Sequence, residues 1–494
     1  MAGGEVMRRG QIIIGLGLAL GVGPAWTGAR AAGPTYHNDV AAILQQNCQE
    51  CHRPGQVAPF ALMTYEQARK RATDIVQVTG GRVMPPWPAS TSFGGPFRDE
   101  RVLVDAEVAT LRKWLEDDCP EGDPKDAPPP KVFTSDWPLG EPDLVLTMGE
   151  AYELEPSGSD DFRVFVLPTS LPDDRWVRAV DFKPGNRRVV HHVLAGVARE
   201  KAGRARELDA KDSKPGYSSL GGFGDGVQVF GFLPIWTPGS RPRHTPEGSG
   251  YFLPAGADVL IQVHYHKNGK VETDATSIGL YLSETPLPKR VETGFLFPSP
   301  SPLALAKLMV KAKLAQNAGR RPNLNELMRD VLTIPAGEAN YTVKGSSRGE
   351  GRGGAGGRPL SRDILLTSVM PHMHWLGKDF TFTAVLPDEE KTRIPLIRID
   401  RWDFNWQGTY AFAEPIRLPK GAWLEMEAHF DNTAENPANP HSPPKVVSWG
   451  DQTTDEMCIG IFEFVAADDG DPRPKPREQG ASPARVEEKE GARP

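Results

Sequence analysis

Residues 258–267 read DVLIQVHYHK. The run is short, apolar and rich in branched side chains, and it ends by alternating His264, Tyr265 and His266 before the turn pair Asn268-Gly269. Alternate residues of a strand share a face, so His264 and His266 project one way and Tyr265 the other. The same texture recurs in RVFVLP (163–168), RRVVHHVLAGVA (187–198), SIGLYL (277–282), DFTFTAVL (379–386) and AWLEMEAHF (422–430). Glycine, proline, asparagine and aspartate divide these segments. Many short strands separated by turn signals argue for β-sandwiches from about 135 to 468. That length is generous for one sandwich, so two are expected, meeting near 288–289.

Between them, LALAKLMVKAKLAQNAGRRPNLNELMRDVL (303–332) predicts a helical insertion, and GSSRGEGRGGAGGRP (345–359) a flexible surface loop. Ahead of the β region the spacing changes. YHNDVAAILQQN (36–47), TYEQARKRATDIVQVT (64–79) and DAEVATLRKWLEDD (105–118) place apolar residues three and four apart, predicting helices over 34–122. A polar, Pro-rich linker follows over 123–140, announced by EGDPKDAPPPK (121–131), and the residues from 469 to 494 hold too little apolar side chain to order.

The chain begins with Arg8 and Arg9, an apolar run from Ile12, and Ala29 and Ala31 in an A-x-A arrangement. That is the layout of a cleaved signal peptide over 1–31, predicting a periplasmic or secreted protein. A formal net charge of -7 over 494 residues, without a basic stripe, excludes nucleic acid as a partner. Four cysteines cannot staple several domains, and Cys119 and Cys458 stand far apart.

The other two cysteines lie in CQECH, which sets Cys48, Cys51 and His52 at the spacing of c-type haem attachment. Two thiols at i and i+3 can form thioethers to the porphyrin, and the adjacent histidine reaches the iron from the same side. A zinc knuckle would need a second Cys or His pair nearby, and none follows. The sixth ligand should be a soft side chain from a later loop. GGRVMPPWP (80–88) offers Met84, whereas Met63 in FALMTY reads as core. The region resembles class I cytochrome c domains over some 90 residues, which implies one covalent haem c with His52 and Met84 as axial ligands. The expected fold is therefore multidomain: a small all-α cytochrome c domain over 34–122, then two all-β, jelly-roll-like sandwiches over 141–288 and 289–468.

More than half of the chain's eleven histidines gather in three short β segments: His191 and His192, His264 and His266, and His372 and His374 in MPHMHWLG. Met457 follows in TTDEMCIG. Imidazole suits copper, zinc and iron, and a thioether favours Cu(I), so His with Met points to copper. Adjacent His191 and His192 can share a metal only where the strand is twisted or bulged, because neighbours on a regular strand face opposite sides.

Taken in order, His-His, Val-His-Tyr, His-x-His-x-x-Gly-Lys and Glu-Met-Cys resemble the copper type II, ascorbate-dependent monooxygenases over residues 140–467. The peptidylglycine hydroxylating and dopamine β-monooxygenases are members. The resemblance implies two separate copper ions. His191, His192 and His264 would hold an electron-transfer copper, with His266 supporting it, and His372, His374 and Met457 an oxygen-activating, catalytic copper. Where the peptide-amidating members carry an arginine, an asparagine and a tyrosine that anchor a peptide, this chain has Met370, Ile459 and Ile461. An apolar wall in place of a carboxylate clamp argues against a peptidylglycine substrate.

The expected activity is hydroxylation of a C–H bond in a small organic substrate by O2. Electrons would come from ascorbate or a redox protein, or through the fused haem. A non-enzymatic haem and copper electron-transfer or copper-binding protein is the alternative, and a degenerate surface-binding module a more remote one.

Overall fold

A computed structural model describes residues 33–133, 137–198, 203–318, 324–348 and 358–468. The expected signal peptide, the C-terminal tail and most of the Gly-rich loop lie outside them. Strands make up 34 % of the structure and helices 17 %.

The first β unit pairs two five-stranded sheets. One orders Tyr217–Ser218, Asp161–Pro168, Asp258–Tyr265, Val190–Ala198 and Val229–Phe232. The other orders Lys289–Arg290, Ser249–Leu253, Arg175–Lys183, Ser277–Leu282 and Leu144–Thr147. The opening stretch shows how the sequence drives this. Val259, Ile261 and Val263 face the core between the sheets, with Val177, Val193, Ala195 and Leu280. Leu260, Gln262 and His264 alternate to the other face, where Leu260 packs with Val164 and Tyr217. His264 is thus aimed away from its own core.

The second unit sets Glu292–Leu296, Cys458–Ala466, Ile364–Met373 and Tyr410–Leu418 against a sheet built from Ala89–Gly94, Arg393–Ile399, Gly377–Val385, Trp423–Phe430 and Tyr341–Ser346. Phe380, Phe382 and Phe430 are fully buried between the layers. Each stabilises by roughly 1.5–3 kcal/mol through burial. The chain passes between units at Val291: Lys289–Arg290 pairs with Ser249–Gly250, and Glu292–Leu296 pairs with Gly460–Phe464. The insertion forms helices Pro302–Asn317, capped by the Ser301 hydroxyl, and Leu324–Met328.

The expected small all-α domain is not present, and this corrects the fold class read from the sequence. Short helices do form at Ala41–Asn47, Tyr65–Lys70, Ala72–Gly80 and Asp105–Glu116, around Val40, Leu44, Leu111 and Trp114. Only Arg71 parts the two middle helices, but long irregular stretches follow Asn47 and Gly80, and Ala89–Gly94 leaves altogether to become the edge strand of the second unit's sheet, beside Arg393–Ile399. Pro85, Pro86 and Pro88 stop the preceding helix from continuing. Gly94 then has φ +81°, and a Cβ there would lie 2.0 Å from the Leu396 carbonyl oxygen. Only glycine permits that approach. Phe97 bridges to Phe412 and stacks on it at 5.4 Å between ring centroids, so the N-terminal segment is stitched into the β structure. Cys119 and Cys458 are free and buried.

Candidate metal centre

His191 and His192 open the Val190–Ala198 strand, and its pairing with Asp258–Tyr265 explains how both can serve one site. His264 lies opposite His192 and Tyr265 opposite Val190, so His191 is an extra residue, a β-bulge. The bulge removes the strict alternation that would send one imidazole into the core. The donor atoms of His191, His192 and His264 all lie within 4.8 Å of one another, and must draw in to about 4 Å or less for one ion to sit about 2 Å from each nitrogen. His264 Nδ1 is 3.3 Å from His192 Nδ1.

The far side of His264 is held by Asp160. His264 Nε2 donates to Asp160 Oδ2 at 2.9 Å, which leaves Nδ1 as the free ligand atom. His266 Nδ1 reaches the other carboxylate oxygen at 3.1 Å from the exposed side. Burial alone would raise the Asp160 pKa, but the hydrogen bonds from His264 and His266 hold it well below the usual carboxylate range. Asp160 is also tied to the second unit. The Thr453 hydroxyl donates to its Oδ2 at 2.9 Å, its own N–H donates to Gln452 Oε1 at 3.0 Å, and Gln452 Nε2 donates back to its carbonyl at 3.3 Å.

His372 and His374 end the Ile364–Met373 strand and the turn after it. His372 Nδ1 donates to Gln407 Oε1 at 2.5 Å and His374 Nδ1 to the Asp455 carbonyl at 3.2 Å, so Nε2 of each is the nitrogen left for a metal. Met373 pairs with Cys458 at the end of the antiparallel register, and His374 and Met457 are the residues just beyond it; Met457 is partly buried and packs against the core of the second unit. The connection is fastened by Glu456, fully buried, whose carboxylate accepts the N–H groups of His374, Leu376 at 2.9 Å and Met457 at 2.8 Å.

The two sets adjoin. The rings of His192 and His372 are 6.5 Å apart, and Phe404 lies between the units, stacked on His191 at 4.6 Å and edge-on to His374 at 5.6 Å. Five imidazoles therefore form one cluster, His264 and His374 buried and His191, His192 and His372 half-buried, where the resemblance implied two separate centres. Burial, with the neighbouring imidazoles, pushes His191, His192 and His374 well below the ordinary histidine pKa, and burial takes His372 down to about 4. All are neutral at pH 7, the protonation state a metal needs. A cluster of neutral imidazoles with second-side anchors is the donor set of a late first-row metal, and the copper assignment fits it.

The haem motif also fits its group. His52 Nδ1 donates to the Phe60 carbonyl at 3.1 Å, leaving Nε2 for iron. Cys48 and Cys51 are free, half-buried thiols, and burial pushes Cys48 up to about 12. Met84 is half-buried in the turn after Ala72–Gly80, its N–H on the Val78 carbonyl at 3.2 Å. Trp87, three residues on, meets Tyr410 of the second unit at 5.1 Å. The motif loop itself abuts the first unit through the Glu50–Arg241 ion pair. Met370 and Ile461 face each other across paired strands and line a small cavity with Leu233 and Ile235.

Asp160, Phe404, Gln407, Thr453 and Glu456 carry no spacing signal. Each acts through a neighbour brought near by folding; Thr453 and Glu456 lie in the TTDEMCIG stretch, but nothing in its spacing shows what they hold. His429, given no ligand role, pairs with Asp379 at 2.7 Å, away from the chamber.

No protein-family model and no curated protein matches the chain. Among solved structures, that of infectious bursal disease virus Gx strain is similar at 9 % identity and TM-score 0.17, covering 67 % of this chain and 73 % of that one. The PNGF-II structure is similar at 8 % identity and TM-score 0.23, covering 66 % of each. Likenesses this faint bear on neither fold nor activity. Among the described residues no helix is long and apolar enough to cross a membrane.

Proposed function

We propose that the protein is an exported copper-dependent monooxygenase that hydroxylates a C–H bond of a small organic substrate with O2. What carries the reading is the convergence of His191, His192, His264, His372 and His374 from both β units into one cluster, with Met457 just beyond the end of the strand pairing that carries His372. Copper bound there would supply one-electron redox chemistry and O2 activation.

The chain's own residues do the rest. Asp160 orients His264 and fixes its tautomer, and Gln407 and the Asp455 carbonyl do the same for His372 and His374. Glu456 holds the backbone of both second-set segments, so their ligand geometry is preorganised. Phe404 fills the space between the sets and keeps water from it. Met370 and Ile461 give the substrate side an apolar wall that offers nothing to a peptide carboxylate.

A haem held by Cys48, Cys51 and His52 would store one electron. Two contacts support delivery to the β units: the Glu50–Arg241 pair beside Cys51, and the Trp87–Tyr410 contact beside Met84. The test is to reduce haem-loaded, copper-loaded protein without O2, then admit O2. Haem reoxidation that requires copper is expected. Reoxidation at the same rate without copper would sink the route, and an electron-transfer protein alone would yield no oxygenated product.

A further inference from the structure

A cavity of about 130 Å³ lies where the N-terminal segment meets both β units. Trp87 lines it from the first, Trp236 from the second and Trp406 from the third. Gln407, whose amide oxygen holds His372, lines it too, and it shares Ile235, Thr409 and Glu463 with the small cavity at Met370 and Ile461. It therefore approaches the metal chamber from the side of the apolar wall. An apolar cavity of about this size accommodates a benzene ring.

The charged groups of this cavity leave no buried side-chain atom without a partner, with two exceptions. Arg241 pairs with Glu50, and Arg243 with Glu463, which also accepts the Tyr251 and Ser368 hydroxyls at 2.6 and 2.8 Å. Arg101 has no carboxylate of the described residues within 4.0 Å. Its Nη2 donates to the Gly239 carbonyl at 2.5 Å, and its buried Nε has no partner. A Cβ built on Gly239 would meet Arg101 Nη1 at 3.3 Å and the Trp406 ring at 3.9 Å, which places the guanidinium beside an aromatic wall. The other exception is Asp181, whose buried Oδ2 is also without a partner.

We propose that this cavity is the substrate site and that it selects an aromatic or similarly compact organic anion, its carboxylate seated on Arg101. The proposal rests on the monooxygenase reading for the word substrate, but the binding it describes does not need copper. A half-buried guanidinium whose Nε has no partner and that no carboxylate of the described residues meets within ion-pair distance is best satisfied by a planar, bidentate anion. Burial and the neighbouring Arg241 work against its charge, and Cys51, Glu50 and Asp99 favour it from farther off; a carboxylate seated on it would add to that support. The N-terminal segment thereby becomes a wall of the site as well as a carrier of haem. Arg101 supplies the anion recognition that Met370 cannot, and Asp181 offers an acceptor for a hydroxyl on the same molecule.

The test is calorimetric titration of phenylacetate into the copper-free, haem-loaded chain, with phenylacetamide and 2-phenylethylamine as neutral and cationic probes. Phenylacetate should bind one to one and at least tenfold more tightly than either, and Arg101→Gln should weaken it at least tenfold with Arg101→Lys in between. Ile235→Trp, which fills the cavity without touching the charge, should abolish binding, and it serves if Arg101→Gln does not fold. Equal binding of the amide or the amine overturns the proposal. So does an Arg101→Gln protein that keeps phenylacetate but shifts the haem midpoint potential, because the guanidinium would then serve a haem carboxylate. Absence of phenylacetate binding sinks this inference and leaves the copper count untouched; absence of copper with phenylacetate still bound sinks the reading of function alone.

Discussion

Replacing Asp160 by asparagine removes one charge from the chamber and changes nothing in its size. The carboxylate accepts hydrogen bonds from His264 at 2.9 Å, His266 at 3.1 Å and Thr453 at 2.9 Å. In Asp160→Asn the side-chain amide oxygen could still accept from His264, but a neutral group no longer raises the basicity of that imidazole. Partners of this kind are worth about 10–100-fold in metal affinity, or about 1.4–2.8 kcal/mol. The loss should fall on the ion at His191, His192 and His264 and spare the ion at His372, His374 and Met457. Competition of Cu(I) against a chelator of known affinity, read separately for the two sites, measures it. Asp160→Ala should weaken the first site further, because the contact with Thr453 that joins the two units is lost as well. An unchanged affinity at the three-histidine site, or a loss confined to the other, would refute the assignment of Asp160 as its support.

Other consequences follow from the same geometry. Gly94→Val sets a branched side chain where a Cβ already lies 2.0 Å from the Leu396 carbonyl oxygen at φ +81°. The edge strand should detach, at a cost of at least about 1–3 kcal/mol, seen as new proteolytic cleavage between 80 and 104 in an otherwise folded β region. Burial pushes the Asp181 carboxyl up to about 6. The folded chain therefore keeps this proton while the unfolded chain loses it near pH 4, so stability falls as pH rises from about 4 to 6. Asp181→Asn should recover up to about 3 kcal/mol at pH 7 and none at pH 4; denaturant unfolding at the two values reads the difference, and equal gains at both would contradict the cause. Met457→Ile should weaken Cu(I) more than Cu(II) at the second site, since a thioether favours the softer ion. A parallel loss of both would argue that Met457 only packs.

Much of this centre was legible in the sequence because its ligands are rare residue types in strand-like segments. His372 and His374 could be picked out by type and face, whereas His264 shares its face with His266 and only the family resemblance chose between them. His191 needed more, because its service depends on a bulge that arises from the pairing of two distant segments. Asp160 stands in SGSDDF and Gln407 in NWQGTY, ordinary turn compositions whose partners are settled only by folding. The N-terminal segment was misread for a related reason. Its three helical stretches carry a period, but ASTSFG has no alternation and only Ala89 and Phe93 as apolar residues, and it becomes a strand only because the edge beside Arg393–Ile399 is there to pair with. Tertiary context overrode a weak local signal. Nor could the adjacency of the two histidine sets be foreseen, since contacts between units such as Gln452 and Thr453 with Asp160 set it.

Copper counting bears most directly on the central claim. Purified, haem-loaded protein, dialysed against Cu(II) and freed of excess, should hold two copper ions per chain. The count should drop to one in His191→Ala/His192→Ala and to one in His372→Ala/His374→Ala, with the haem spectrum unchanged. A count near zero, or a count of two that survives both double substitutions, would contradict a copper centre built from these five histidines.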